Sequence, residues 1–214
     1  KLLVPVTSLH LISRYTGSSE VTAPLHRLGS AQWTRAKKKA INKASDVAAE
    51  LLDIHARRAA TTGHSYDIHH DEYASFASTF PFEETPDQEN AINSVMQDLA
   101  VPQSMDRVVC GDVGFGKTEV AMRAAFIVAN NGKQVAILVP TTLLAQQHYQ
   151  NFLDRFADWP IRIECLSRFN SKKKQDEIVE QIKHGKVDII IGTHKLLQKS
   201  IKFDDLGIII VDEE

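Results

Sequence analysis

The chain has 214 residues, enough for one full α/β domain and a smaller appendage. Its 43% hydrophobic content suits a packed core and excludes a disordered chain. A formal net charge of −2 excludes a uniform basic coat but not a local positive groove, and no apolar run approaches the ~18 residues of a membrane span.

Cys110 and Cys165 are the only cysteines. Two isolated thiols fit a reducing compartment, so a cytoplasmic location is expected. The chain opens without Met and stops at Val211-Asp212-Glu213-Glu214, on the letters of a motif. It reads as a piece of a longer protein.

Residues 1–12 are apolar and β-branched around Val4-Pro5-Val6. They are expected to form an edge strand, then a turn or short helix at Leu9–Ile12. Such a strand needs partners, which are expected upstream. A loop follows from Gly17 to Ser30.

From Gln32 to Ala60 apolar residues recur every three or four positions: Trp33, Ala36, Ala40, Val47, Leu51, Ile54. A helix of that length spans roughly 40 Å. Its opposite face carries Arg35, Lys38, Lys39 and Lys43, either as a solvated face or as a contact for nucleic acid or protein. Thr61-Thr62-Gly63 ends it. His64, His69 and His70 mix with Asp67, Asp71 and Glu72 and read as a polar linker, since no ligand spacing embeds them. A short helix is expected over Asp71–Thr79.

Thr85-Pro86 is an N-cap with proline at the first helical position. Gln88, in that first turn, offers the amide donor and acceptor that match adenine, and Phe80 or Phe82 can cover the base.

Arg107-Val108-Val109-Cys110 reads as a short buried strand, with Cys110 as a small buried hydrophobe. It enters Gly111-Asp112-Val113-Gly114-Phe115-Gly116-Lys117-Thr118, which fits G-x-x-x-x-G-K-[ST], the P-loop. Backbone N–H groups of such a loop wrap phosphate, and Gly111, Gly114 and Gly116 permit the tight turns. Lys117 would reach the β- and γ-phosphates, and Thr118 would ligate Mg²⁺. The next helix, from Glu119 to Asn130, points its positive end at the same anion.

Strands are expected at 134–139, 162–166, 187–191 and 206–211, with helices over 143–156, 172–184 and 195–198. This alternation predicts βαβ units and a parallel sheet with ligands at the strand carboxyl ends. Ile208-Ile209-Ile210-Val211-Asp212-Glu213 is an apolar strand ending in acid, about 95 residues after Lys117. Asp212 would hold Mg²⁺ and Glu213 would polarise the attacking water. Thr141, Thr142, Arg168, Thr193 and His194 sit at the other strand ends. Their hydroxyls, guanidinium and helix-start N–H groups suit phosphate-backbone contacts, or simple capping.

The stretches around Phe82–Gln88, Gly111–Thr118, Pro140-Thr141-Thr142, Gly192-Thr193-His194 and Asp212-Glu213-Glu214 resemble motifs Q, I, Ia, Ic and II of superfamily 2 helicases. The wording GDVGFGKTEVAMRAAF and PTTLLAQQH resembles the transcription-repair coupling branch; RecG-type sequences usually have Ser at the position of Phe115. Val4-Pro5-Val6 through Arg14-Tyr15 also resembles the end of that branch's RNA polymerase-interacting domain. The resemblance implies a RecA-like lobe preceded by a long helical linker and a remnant strand of an upstream β-barrel. It divides the chain into 1–30, the end of the polymerase-interacting domain; 31–79, the linker; and 80–214, the first motor lobe. It further implies a double-stranded DNA translocase using ATP and Mg²⁺. RNA polymerase and an excision-repair damage-recognition protein are its implied partners, bound through other regions. A RecG-like fork-remodelling lobe and a nonenzymatic nucleotide-gated adaptor are the alternatives.

Overall fold

The computed structural model describes residues 4–12 and 31–212. It divides into two compact units, Lys1–Arg57 and Arg58–Glu214. Arg14 and Tyr15, and the loop from Gly17 to Ser30, lie outside the described residues, as do Glu213 and Glu214.

In the first unit Val6–Leu11 is a 3-10 helix, not the end of a strand. Pro5 sets φ at −59° and withholds an N–H, which favours a turn start. The segment satisfies itself locally: Ser8 N donates to Pro5 O at 2.9 Å, and Ile12 N to Leu9 O at 3.0 Å. Helix α1 runs Ala31–Ala60 as the periodicity predicts, and none of its residues is buried. Trp33, Val47, Leu51 and Ile54 stay exposed along its apolar stripe.

The second unit contains helices α2 (His70–Ser78), α3 (Pro86–Ala100), α4 (Lys117–Asn130), α5 (Thr142–Arg155) and α6 (Lys172–Lys183). Its strands are β1 (Gln134–Leu138), β2 (Ile163–Leu166), β3 (Ile189–Gly192) and β4 (Leu206–Val211). They form a parallel sheet in the order β2-β3-β1-β4. In β3, Ile189 and Ile191 join one apolar cluster and Ile190 the other. Alternate side chains therefore enter opposite layers, as in a sheet covered on both faces.

One layer holds α4 and α5 and an aromatic cluster. Phe76 stacks on Phe126 at 4.3 Å, and Phe152 on Phe156 at 5.6 Å. Helix α6 supplies Ile178 and Ile182 to the other. The stretch read as a polar linker is partly core: Tyr66 is buried and its hydroxyl donates to Gly207 O at 2.9 Å.

Arg107–Cys110 is not a buried strand. It has no strand assignment, Val108 is 84% exposed, and Cys110 is exposed with a free thiol. A strand exists only as part of a ladder, and these residues pair with no strand among the described residues. Arg107 Nε instead donates to Asp98 Oδ2 on α3 at 2.6 Å. Strand β4 is left as an edge with Ile209 and Val211 exposed. Among the described residues, no helix is long and apolar enough to cross a membrane.

Candidate nucleotide site and nucleic-acid edge

The P-loop bends through Gly114 and Gly116, at φ 86° and 72°. Gly116 is required by its left-handed φ, and a Cβ there would also displace the Gln88 amide. Gly111 differs from expectation: it has no left-handed φ, and a Cβ would make ordinary contact with Lys117 at 3.6 Å. The Lys117 ammonium donates to Gly111 O at 2.6 Å and Asp112 O at 2.8 Å, so it lies within the loop's own curve. Helix α4 starts at Lys117, directly after the turn.

Thr85 caps α3 as its residue type predicts. Its hydroxyl accepts from Gln88 N at 3.2 Å, and Gln88 Oε1 accepts from Thr85 N at 2.8 Å, completing a capping box. Gln88 Nε2 donates to Phe115 O at 2.9 Å. The glutamine thus ties α3 to the P-loop. Each of its amide groups retains one further hydrogen-bonding position.

A cavity of about 840 Å³ opens beside the loop. Phe82, Gln88, Gly114, Gly116 and Thr118 line it together, whereas Gly111 and Lys117 are not among its lining residues. Phe80 meets Phe82 edge-on at 5.6 Å. Glu119, Met122, Asn151, Asp154 and Arg155 also line it, and sequence reasoning missed them. Asn151, Asp154 and Arg155 come from the far end of α5, with no local motif to mark them. The volume and the aromatic rim suit a nucleoside base and sugar.

Beneath the cavity lies a buried ionic network. Arg123, 4% exposed, donates to Glu119 Oε1 at 2.7 Å, to the Tyr73 hydroxyl at 3.2 Å, and to Glu84. Burial opposes its charge, but the bonds from Glu119, Tyr73 and Glu84 hold its pKa above the ordinary value. Arg155 Nη2 donates to Glu119 Oε1 at 2.9 Å, and its guanidinium lies 4.0 Å above the Phe76 ring. Glu119 therefore joins the first turn of α4 to the last turn of α5.

The strand ends share one rung. Leu138 pairs with both Gly192 and Val211, and Gly192 with Leu166. The residues that follow each strand emerge together along one edge. A Cβ at Gly192 would sit 2.9 Å from both Leu166 O and Leu196 Cγ, so only glycine permits this close approach. Thr141 caps α5, its hydroxyl accepting from Leu144 N at 3.2 Å. Thr142 begins the helix. Arg168 is exposed on a loop pinned by Gln175 Nε2, which donates to Ser167 O at 3.1 Å and Asn170 O at 2.8 Å. Thr193 precedes a 3-10 helix, His194–Leu197, without a side-chain cap bond, and His194 is exposed.

Asp212 follows β4, and its N–H donates to Leu138 O at 3.0 Å. It is not among the residues lining the cavity. Its Oδ2 lies 2.9 Å from His148 Nε2 on α5, a partner the sequence did not signal. Glu213, the expected general base, lies outside the described residues.

A glycine loop leading into a helix, beside a nucleotide-sized cavity on a parallel sheet, defines a P-loop lobe. Residues 85–214 match the family model described as DEAD/DEAH box helicase, and the chain belongs to that family. It is 63% identical over all 214 residues to the transcription-repair-coupling factor of Escherichia coli (strain K12), and 61% to that of Haemophilus influenzae. It covers 100% of itself and 19% of each of these curated relatives, about a fifth of their length. The solved structure of RecG bound to a three-way DNA junction matches with a TM-score of 0.71 at 32% identity, over 76% of this chain and 22% of that one.

Proposed function

We propose that this chain is the ATP-binding first lobe of a double-stranded DNA translocase. The whole protein would displace stalled RNA polymerase in the cytoplasm and couple transcription to excision repair. The observation that carries this reading is the 63% identity to a transcription-repair-coupling factor across every residue of the chain. In this reading 1–30 end a polymerase-interacting domain, 31–79 link it, and 80–214 form the lobe.

The aromatic rim of Phe80 and Phe82 takes the base, and Gln88 uses its remaining amide positions on adenine. Lys117 exchanges two loop carbonyls for phosphate oxygens. Thr118 and Asp212 are oxygen donors of the kind that Mg²⁺ prefers. Bound there, the ion supplies charge neutralisation to the phosphates. Glu213 keeps its assignment as the base that orients water. Thr141, Thr142, Arg168, Thr193 and His194 contact the DNA backbone along the shared rung.

In the complete protein, Lys117→Ala and Glu213→Gln are each expected to abolish DNA-stimulated ATP hydrolysis. Turnover retained in both would overturn the reading; partner binding altered with no turnover to lose would favour a nucleotide-gated adaptor. The 214-residue chain alone is expected to bind ATP weakly and hydrolyse it negligibly. The RecG likeness supports a second reading, a fork-remodelling lobe. Capture of RNA polymerase by the complete protein separates the two.

A further inference from the structure

Helix α5 buries one face through Ala145, His148 and Phe152. Two of those positions are apolar, as a core face requires. The third is a histidine, 8% exposed, whose Nδ1 is buried with no hydrogen-bond partner. Burying that nitrogen is unfavourable, and an apolar side chain would avoid it. What the imidazole gains there is the 2.9 Å contact of Nε2 with Asp212 Oδ2. The backbone of Asp212 is meanwhile held by Leu138 O on β1 at 3.0 Å. The acid is thus held at two points, by a strand below and by a helix beside it.

We propose that His148 is a positioning residue for the Asp212 carboxylate, holding Oδ2 so that Oδ1 takes the divalent cation. This rests on the nucleotide reading above and adds a residue to it. Carboxylates that bind metal are themselves oriented by hydrogen bonds, and losing such a partner weakens metal binding about 10–100-fold. Histidine suits the task because Nε2 reaches Asp212 from a helix position that otherwise faces the core.

The test uses the complete protein with a nonhydrolysable ATP analogue. Binding of Mn²⁺ is read from the electron paramagnetic resonance signal of the free ion, and metal-free nucleotide affinity from a fluorescent analogue. His148→Leu removes the polar contact with Asp212, His148→Asn is polar but too short to reach, and His148→Gln returns a polar group near the Nε2 position. Leu and Asn are expected to weaken Mn²⁺ binding about tenfold with metal-free nucleotide affinity unchanged, and Gln to stay within about twofold of the wild type. Wild-type Mn²⁺ binding in the Leu or Asn variant overturns the inference. So does weakening by all three in step with thermal stability, which assigns His148 to packing. If the wild type itself takes up no Mn²⁺ with nucleotide, and Lys117→Ala leaves nucleotide binding unchanged, the site reading fails instead.

Discussion

Gln88 Nε2 donates to Phe115 O at 2.9 Å, joining the first turn of α3 to the crest of the P-loop. The same side chain closes the capping box through Oε1, so one residue serves helix stability and loop shape. The two can be separated. Gln88→Glu keeps the acceptor for Thr85 N and loses both amide N–H groups, the one given to Phe115 O and the one assigned to adenine. It is expected to leave folding stability within ~1 kcal/mol and to weaken nucleotide binding about 5–100-fold, the worth of two hydrogen bonds. Gln88→Ala should also lose ~1 kcal/mol of stability with the cap. Gly116→Ala, placing a Cβ 2.2 Å from Gln88 Nε2 at a φ of 72°, is expected to cost ~1–2 kcal/mol and disrupt the same tie. Fluorescent-nucleotide titration and urea denaturation measure both quantities. Unchanged affinity in Gln88→Glu would remove the tie from the account.

The Arg123 network carries the second prediction. Arg123→Met leaves the Glu119 carboxylate, 6% exposed, short of one cation in the interior. A loss of about 3–5 kcal/mol is expected in urea denaturation at pH 7. Arg123→Lys keeps the charge but cannot fork between Glu119, Tyr73 and Glu84, and should recover only part of it. Stability equal to wild type in Arg123→Met would show that the network contributes nothing net.

The third concerns pH. Burial pushes the Cys165 thiol up from 9.0 to about 11, aided by Glu164 and opposed by a hydrogen bond from Ser167. Between those values the unfolded chain releases the proton while the folded chain keeps it. The unfolded state then binds fewer protons, so stability falls as pH rises. The contribution is complete below about pH 9 and is lost as pH rises through about 11. It amounts to on the order of 2–3 kcal/mol. Melting temperatures of the wild type and Cys165→Ala, followed from pH 8 to 10.5, should converge if this holds; parallel curves would refute it. At pH 8 iodoacetamide should label the exposed Cys110 and reach Cys165 only on unfolding.

The amino-acid sequence alone determined what depends on neighbouring residues. The periods of α1 and α4, the Thr85-Pro86 start of α3, the glycine loop and the order of strands and helices rest on contacts within a few positions. Backbone geometry and capping set these locally, so a linear reading reaches them. Tertiary structure alone decided the strand order β2-β3-β1-β4 and the common rung of the strand ends. It left Arg107–Cys110 out of the ladder and returned Lys117 to its own loop. It also brought Arg155 to Glu119 and His148 to Asp212, partners 36 and 64 residues apart. Those outcomes depend on which distant groups find a donor, an acceptor or a strand edge once the core closes, and no local period encodes that choice.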